Sequence, residues 1–196
     1  DQVAEEAIER VENSKFLKDV VKKRGFYTIY DEKTPSGTIH IGSGRGWVIH
    51  DAITKALRDK GVKAKFILSS DDMDPLDKPS KELSDEDNEK YIGVPFRYIP
   101  SLASGYKHFG DYYFRQCTNL FPDFGIDAEL ESTGEEYEKG SFNKTIKIAL
   151  DNADKIQNIY AKLYGDDVAA ANKLPFNVLC PQCKRISTTL AIELDK

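Results

Sequence analysis

The residues best suited to chemistry lie near the start of the chain, in the run Thr34-Pro35-Ser36-Gly37-Thr38-Ile39-His40-Ile41-Gly42-Ser43. Gly37 and Gly42 remove side chains where backbone must approach a ligand. Ser43 can cap the helix that follows, and its neighbours then point free N–H groups at an anion. His40 adds a donor beside them, either for a phosphate oxygen or for the charge that develops as a phosphate is displaced. No G-x-x-x-x-G-K-[ST] run is present, and Gly42-Ser43-Gly44-Arg45-Gly46 is not G-x-G-x-x-G. A second candidate is Ser69-Ser70-Asp71-Asp72-Met73-Asp74. A carboxylate there, Asp72 in first place, can hold the α-ammonium of an amino acid. The plainer reading is a strand-end turn closed by Asx hydrogen bonds. Third, Cys180-Pro181-Gln182-Cys183 is half of a tetrahedral thiolate zinc site, whose other two ligands the chain does not supply in sequence.

These groups need elements to position them. Residues 3–24 repeat apolar side chains at helical spacing, and Gly25 stops the run. Residues 26–30 are a short β-rich run, 31–42 a loop, 43–60 an amphipathic helix closed by Gly61, and 64–70 a second, buried strand. In that helix Val48, Ile49, Ala52, Ile53, Ala56 and Leu57 form the apolar stripe. Strand, loop, helix and strand in so short a stretch make a βαβ unit with a parallel pair. The His40 loop and the Asp71–Asp74 run then share the carboxyl edge of the sheet, where open α/β sheets bind ligands. Residues 71–90 read as an acidic loop or weak helix, 105–121 as an aromatic helix, 126–132 as a strand and 143–163 as a strongly amphipathic helix. From about 172 the texture becomes that of a short β-rich metal knuckle.

The chain has 196 residues, 40% of them apolar and 31% charged, with a net charge of -5. That balance excludes disordered, collagen-like and coiled-coil classes. No apolar run is long enough to span a membrane. The opening segment reads as a charged helix rather than a leader. Three cysteines are too few for a disulfide framework and fit a reducing cytosol. No basic stripe marks a nucleic-acid surface, so the main contact to a polyanion is expected elsewhere.

T-P-S-G-x-x-H-I-G after a first strand resembles the first signature of class I aminoacyl-tRNA synthetases. Within that class the chain is similar to the archaeal kind of class I lysyl-tRNA synthetase. The likeness runs through residues 40–53, 67–79, 93–101, 111–118 and 131–143 and the C-x-x-C of Cys180 and Cys183. The resemblance implies an α/β, Rossmann-like parallel sheet with flanking helices, over residues 1–170. Residues 171–196 would begin a small zinc-binding connective insertion. It implies ATP-dependent activation of lysine to lysyl-adenylate and transfer to tRNA(Lys), with Mg²⁺ accompanying ATP and Zn²⁺ possible at the cysteine pair. By the same likeness Pro35, Ser36, Gly37, His40, Gly42 and Ser43 surround ATP, with His40 and Ser43 serving catalysis. Thr34 and Asp72 would meet the amino acid.

The likeness has gaps. Ser43 stands where the signature carries a second His or an Asn. Glu32 stands where similar enzymes carry Gly, and either greets a lysine ammonium or blocks the pocket. The Lys-Met-Ser-Lys-Ser type of second signature and an anticodon-binding region are missing, so the chain is expected to be the N-terminal portion of a longer, cytoplasmic enzyme. Most of its tRNA contact would then lie in the remainder. The alternatives are an arginine or glutamate class I synthetase, a related nucleotidyltransferase, or a non-catalytic synthetase-like binding module.

Overall fold

Three strands form one parallel sheet in the order β1-β2-β3, with β1 at Tyr27–Lys33, β2 at Ala64–Ser70 and β3 at Ala128–Ser132. The computed structural model describes residues 2–165, 174–186 and 188–193. β2 is central and buried along nearly its whole length, with Phe66 and Leu68 almost fully enclosed. That is why Phe66, Ile67 and Leu68 stand unbroken in β2, whereas β1 and β3 carry exposed, charged positions. The register pairs Lys33 with Ser70 and Ser70 with Ser132, so all three strands stop level with one another.

The helices follow the sequence with informative exceptions. The expected helix over 3–24 is two helices, α1 (Gln2–Glu12) and α2 (Lys15–Arg24). Ser14 breaks the run because its Oγ accepts the Leu17 N–H at 3.2 Å and caps α2. After β1, α3 runs from Ile41 to Asp59. Its buried side chains are Trp47, Asp51, Thr54 and Leu57, whereas Val48 and Ile49 are about half exposed. The stripe is turned because both polar residues find partners. Asp51 accepts the Asp127 N–H at 3.0 Å, and Thr54 donates to the His50 carbonyl at 2.8 Å.

The acidic stretch after β2 is mostly loop, ending in α4 (Asp85–Tyr91). The aromatic helix is shorter than the 105–121 expected: α5 spans Phe109–Thr118 and His108 is its N-cap. α6 (Thr133–Glu138) follows β3 directly. The helix expected over 143–163 breaks at Asn152 into α7 (Asn143–Asp151) and α8 (Ala153–Tyr164), and neither buries a residue.

Three clusters hold the fold. Trp47, Phe66, Leu68, Phe114 and Phe121 fill the space between the sheet and its helices. Leu76, Val94, Phe96, Ile99, Phe109 and Tyr113 pin the long β2–α5 connection against α5. Ala4, Leu57 and Ala64 seat α1. Among the described residues no helix is long and apolar enough to cross a membrane.

The expected boundary between residues 170 and 171 lies outside the described residues. From 174 onward the described residues contain no strand, in contrast to the β-rich texture of the sequence. Backbone bonds instead close a tight turn around Cys180–Lys184, and Arg185 and Ile186 dock it on the end of α4 through the carbonyls of Glu89, Lys90 and Gly93.

Candidate active site

The strand ends bring the first two candidate groups to one edge. His40, not Ser43, caps α3: its Nδ1 accepts the Gly42 N–H at 3.1 Å. Ser43 lies in the first turn, with its N–H on the His40 carbonyl at 3.0 Å. The cap needs Gly42, since a Cβ there would stand 2.9 Å from the imidazole. Because Nδ1 accepts, a neutral His40 carries its proton on Nε2, which is left for a ligand.

His40 and Ile39 separate two cavities of opposite character. One, of about 310 Å³, lies between the signature loop (Lys33, Thr34, Ser36, Gly37) and the facing segment Leu76–Glu82, which brings Lys78 and Lys81. The loop is fastened to that segment by Thr38, whose Oγ donates to Glu82 Oε1 at 3.0 Å. This bond is the main reason the Glu82 carboxyl is held below its usual range. The other cavity, of about 530 Å³, is apolar and lined by Ile41, Trp47, Val48, Leu120, Phe121 and Phe124. Pro35 is buried against Gly110, where a Cβ would crowd the proline ring.

Asp72 is buried, with 1% of its surface exposed, and both carboxylate oxygens are taken. Oδ1 accepts the Gly134 N–H at 2.8 Å, and Oδ2 accepts from Ser132 Oγ at 2.7 Å and Arg97 Nη1 at 3.1 Å. Arg97 also reaches Glu138 at 2.7 Å. His108 Nε2 stands 3.4 Å from the same Oδ2, while its Nδ1 accepts the Asp111 N–H. Burial pulls the His108 pKa down despite the Asp72 charge, so the ring is neutral and turns its N–H toward the carboxylate. Asp72 therefore ties β2, β3, α6 and the 3-10 turn Phe96–Tyr98 together.

On the β1 side the acids are not satisfied in this way. Burial, then the charges of Glu32, Asp74 and Asp72, push the Asp71 pKa up to about 6. Asp74 is likewise raised by burial, against a hydrogen bond from Thr34. Glu32 is exposed and accepts from Thr133 Oγ at 3.1 Å. The sequence assigned no role to Arg97, Ser132 or Gly134. Each lies in a segment that carries the family likeness, but only the fold shows that they converge on one carboxylate.

At the far end, Cys180 and Cys183 share one turn. Hydrogen bonds from the backbone of Cys183 and Gln182 draw the Cys180 thiol pKa down. Two such thiols suit a thiophilic ion but are half a tetrahedral set. Among the described residues no group of three or more His, Cys, Asp or Glu side chains is placed to hold a metal.

An α/β protein with level strand ends, a capped helix behind the first loop and open polar groups at that edge has the geometry of a ligand site at the carboxyl end of a parallel sheet. The family model described as tRNA synthetases class I (K) matches residues 1–196. The Lysine--tRNA ligase of Methanosarcina barkeri is 35% identical over 177 residues, covering 90% of this chain and 33% of that protein. That of Methanocaldococcus jannaschii is 34% identical over 85% of this chain and 31% of its own length. That of Thermoplasma acidophilum is 35% identical over 81% of this chain and 31% of its own. The chain spans about a third of the length of these curated relatives. It belongs to the class I (K) tRNA synthetase family.

Proposed function

We propose that the chain supplies the first half of a catalytic centre that activates lysine with ATP and passes it to tRNA(Lys) in the cytoplasm. The observation that carries this reading is the position of His40 between an apolar cavity and a lysine-lined polar one. An adenine nucleotide has that division, with a flat apolar base at one end and anionic phosphates at the other. In this reading the exposed Nε2 of His40 and the first turn at Gly42 and Ser43 meet phosphate oxygens. Pro35, Ser36 and Gly37 set the loop around the nucleotide. A lysine carboxylate oxygen attacks the α-phosphorus, and the bond to the β-phosphate bridging oxygen breaks. Pyrophosphate leaves with the bonding electron pair. The protein provides no nucleophile; it positions the reactants and stabilises charge. Mg²⁺ entering with ATP would neutralise phosphate charge.

The amino acid lies by Thr34 at the β1 end, where Glu32, Asp71 and Asp74 offer negative charge to its ammonium groups. Asp72 acts there as a positioning residue, through the strand ends that it clamps. This acidic rim supports a cationic substrate over glutamate. The transfer step, tRNA contact and any zinc bound by Cys180 and Cys183 depend on residues beyond those described.

The test is calorimetric titration with non-hydrolysable lysyl-, arginyl- and glutamyl-adenylate analogues. Binding of the lysyl analogue alone is the expected result. Equal binding of all three removes the lysine assignment, and binding of none removes the nucleotide site.

A further inference from the structure

Lys33 ends β1, and strand alternation puts its side chain on the same side as Ile29 and Asp31, the side that faces α3. It is half-buried, lines the polar cavity beside Thr34, and has no ion-pair or hydrogen-bond partner for its ammonium among the described residues. Several other lysines among the described residues are paired. Lys55, Lys60, Lys65 and Lys107 each hold a carboxylate at 2.6–2.8 Å. The carboxylate next door, Glu32, falls on the opposite side of the strand and bonds Thr133. Two carboxylates line the same cavity: Glu82 is already engaged by Thr38 and Tyr113, and Asp77 is exposed. Lys78 and Lys81 line the same cavity. Three lysines lining one cavity, one of them half-buried and without a carboxylate partner among the described residues, leave positive charge there for an anionic ligand.

We infer that Lys33 holds the β- and γ-phosphates of the bound nucleotide and stays on them as they depart as pyrophosphate. This rests on the nucleotide site proposed above and adds to it a binding residue that the signature loop does not contain. No proton moves in the step: Lys33 remains an ammonium and the leaving group takes the electron pair. The His40 side of the cavity then meets the α-phosphate, and the Lys33 side meets the two phosphates that are lost.

The experiment titrates ATP and AMP separately into the wild-type chain, Lys33→Met, Lys33→Arg and the distant control Lys144→Met, with thermal melts confirming that each variant folds. Wild type should bind ATP more tightly than AMP. Lys33→Met should weaken ATP about 10- to 100-fold, as expected for a lost charge-assisted contact, and leave AMP unchanged. Lys33→Arg should retain most of the difference and Lys144→Met all of it. An ATP-to-AMP ratio unchanged in a folded Lys33→Met protein overturns the inference while leaving the nucleotide site intact. Failure of the wild type to bind either nucleotide overturns both.

Discussion

The two halves of the sheet's carboxyl edge are built on opposite principles. Where β2 and β3 end, one buried carboxylate accepts a backbone N–H, a serine hydroxyl and a guanidinium, with a neutral imidazole against it. Where β1 ends, Lys33 has no anion and Asp71 no cation among the described residues, and the exposed His40 bonds Gly42 through Nδ1. The closed half fixes the shape of the edge, and the open half leaves its charged groups able to meet a ligand. Unsatisfied charge costs stability, so its concentration at one strand end marks where function was kept at the expense of fold.

The largest test of the contrast is Arg97→Met. It leaves Asp72 buried without its main countercharge, and loss of one member of a buried pair typically costs about 3–5 kcal/mol. Urea unfolding should show that loss, and Arg97→Met combined with Asp72→Asn should recover part of it. A loss below about 1 kcal/mol, in the range of a surface ion pair, would mean that the network is not the clamp described. Gly134→Ala comes next. Its added Cβ would collide with the Arg97 guanidinium, and such overpacking costs about 1–3 kcal/mol. The cost should shrink in the Arg97→Met background, which a double-mutant cycle reads directly.

His40 separates fold from function at the open half. His40→Ala should lose about 1 kcal/mol of stability with the α3 cap. His40→Asn keeps a capping side chain and should recover that stability without recovering ATP affinity. Equal recovery of both would reduce His40 to a cap.

How far the sequence reached follows the same division. The βαβ unit, the exact span of β2 and the edge shared by the His40 loop and Asp72 were legible, because strand burial and loop chemistry are local. The breaks at Ser14 and Asn152 were not, since helical periodicity continues across a residue that caps. The buried face of α3 is rotated from the expected stripe because Asp51 and Thr54 look exposed until their partners, one of them 76 residues away, are known. Arg97 and Gly134 were invisible as site residues for the same reason: their meaning lies in Asp72, 25 and 62 residues distant. A lysine at a strand end is ordinarily solvated, so nothing in the sequence singles out Lys33; only the fold sets it beside the cavity with no ion-pair partner among the described residues.

The smallest predicted effect concerns Asp71, whose folded pKa of about 6 lies above its ordinary 3.8. Below about pH 4 the carboxyl is protonated whether folded or not and contributes nothing. Between about 4 and 6 the unfolded chain releases this proton while the folded chain keeps it. The folded state then binds more protons, so stability falls as pH rises across that window and is fully lowered above it. Because Asp71 is only half-buried, solvent screening limits the effect to a fraction of a kcal/mol. Asp71→Asn should flatten the stability profile between pH 4 and 6 and make the protein slightly more stable than wild type at pH 7. Asp72→Asn should behave in the opposite sense at pH 7, since that carboxylate is held by donors rather than opposed by neighbours. If both asparagine variants stabilise, the two halves of the edge are alike and the contrast between them is lost.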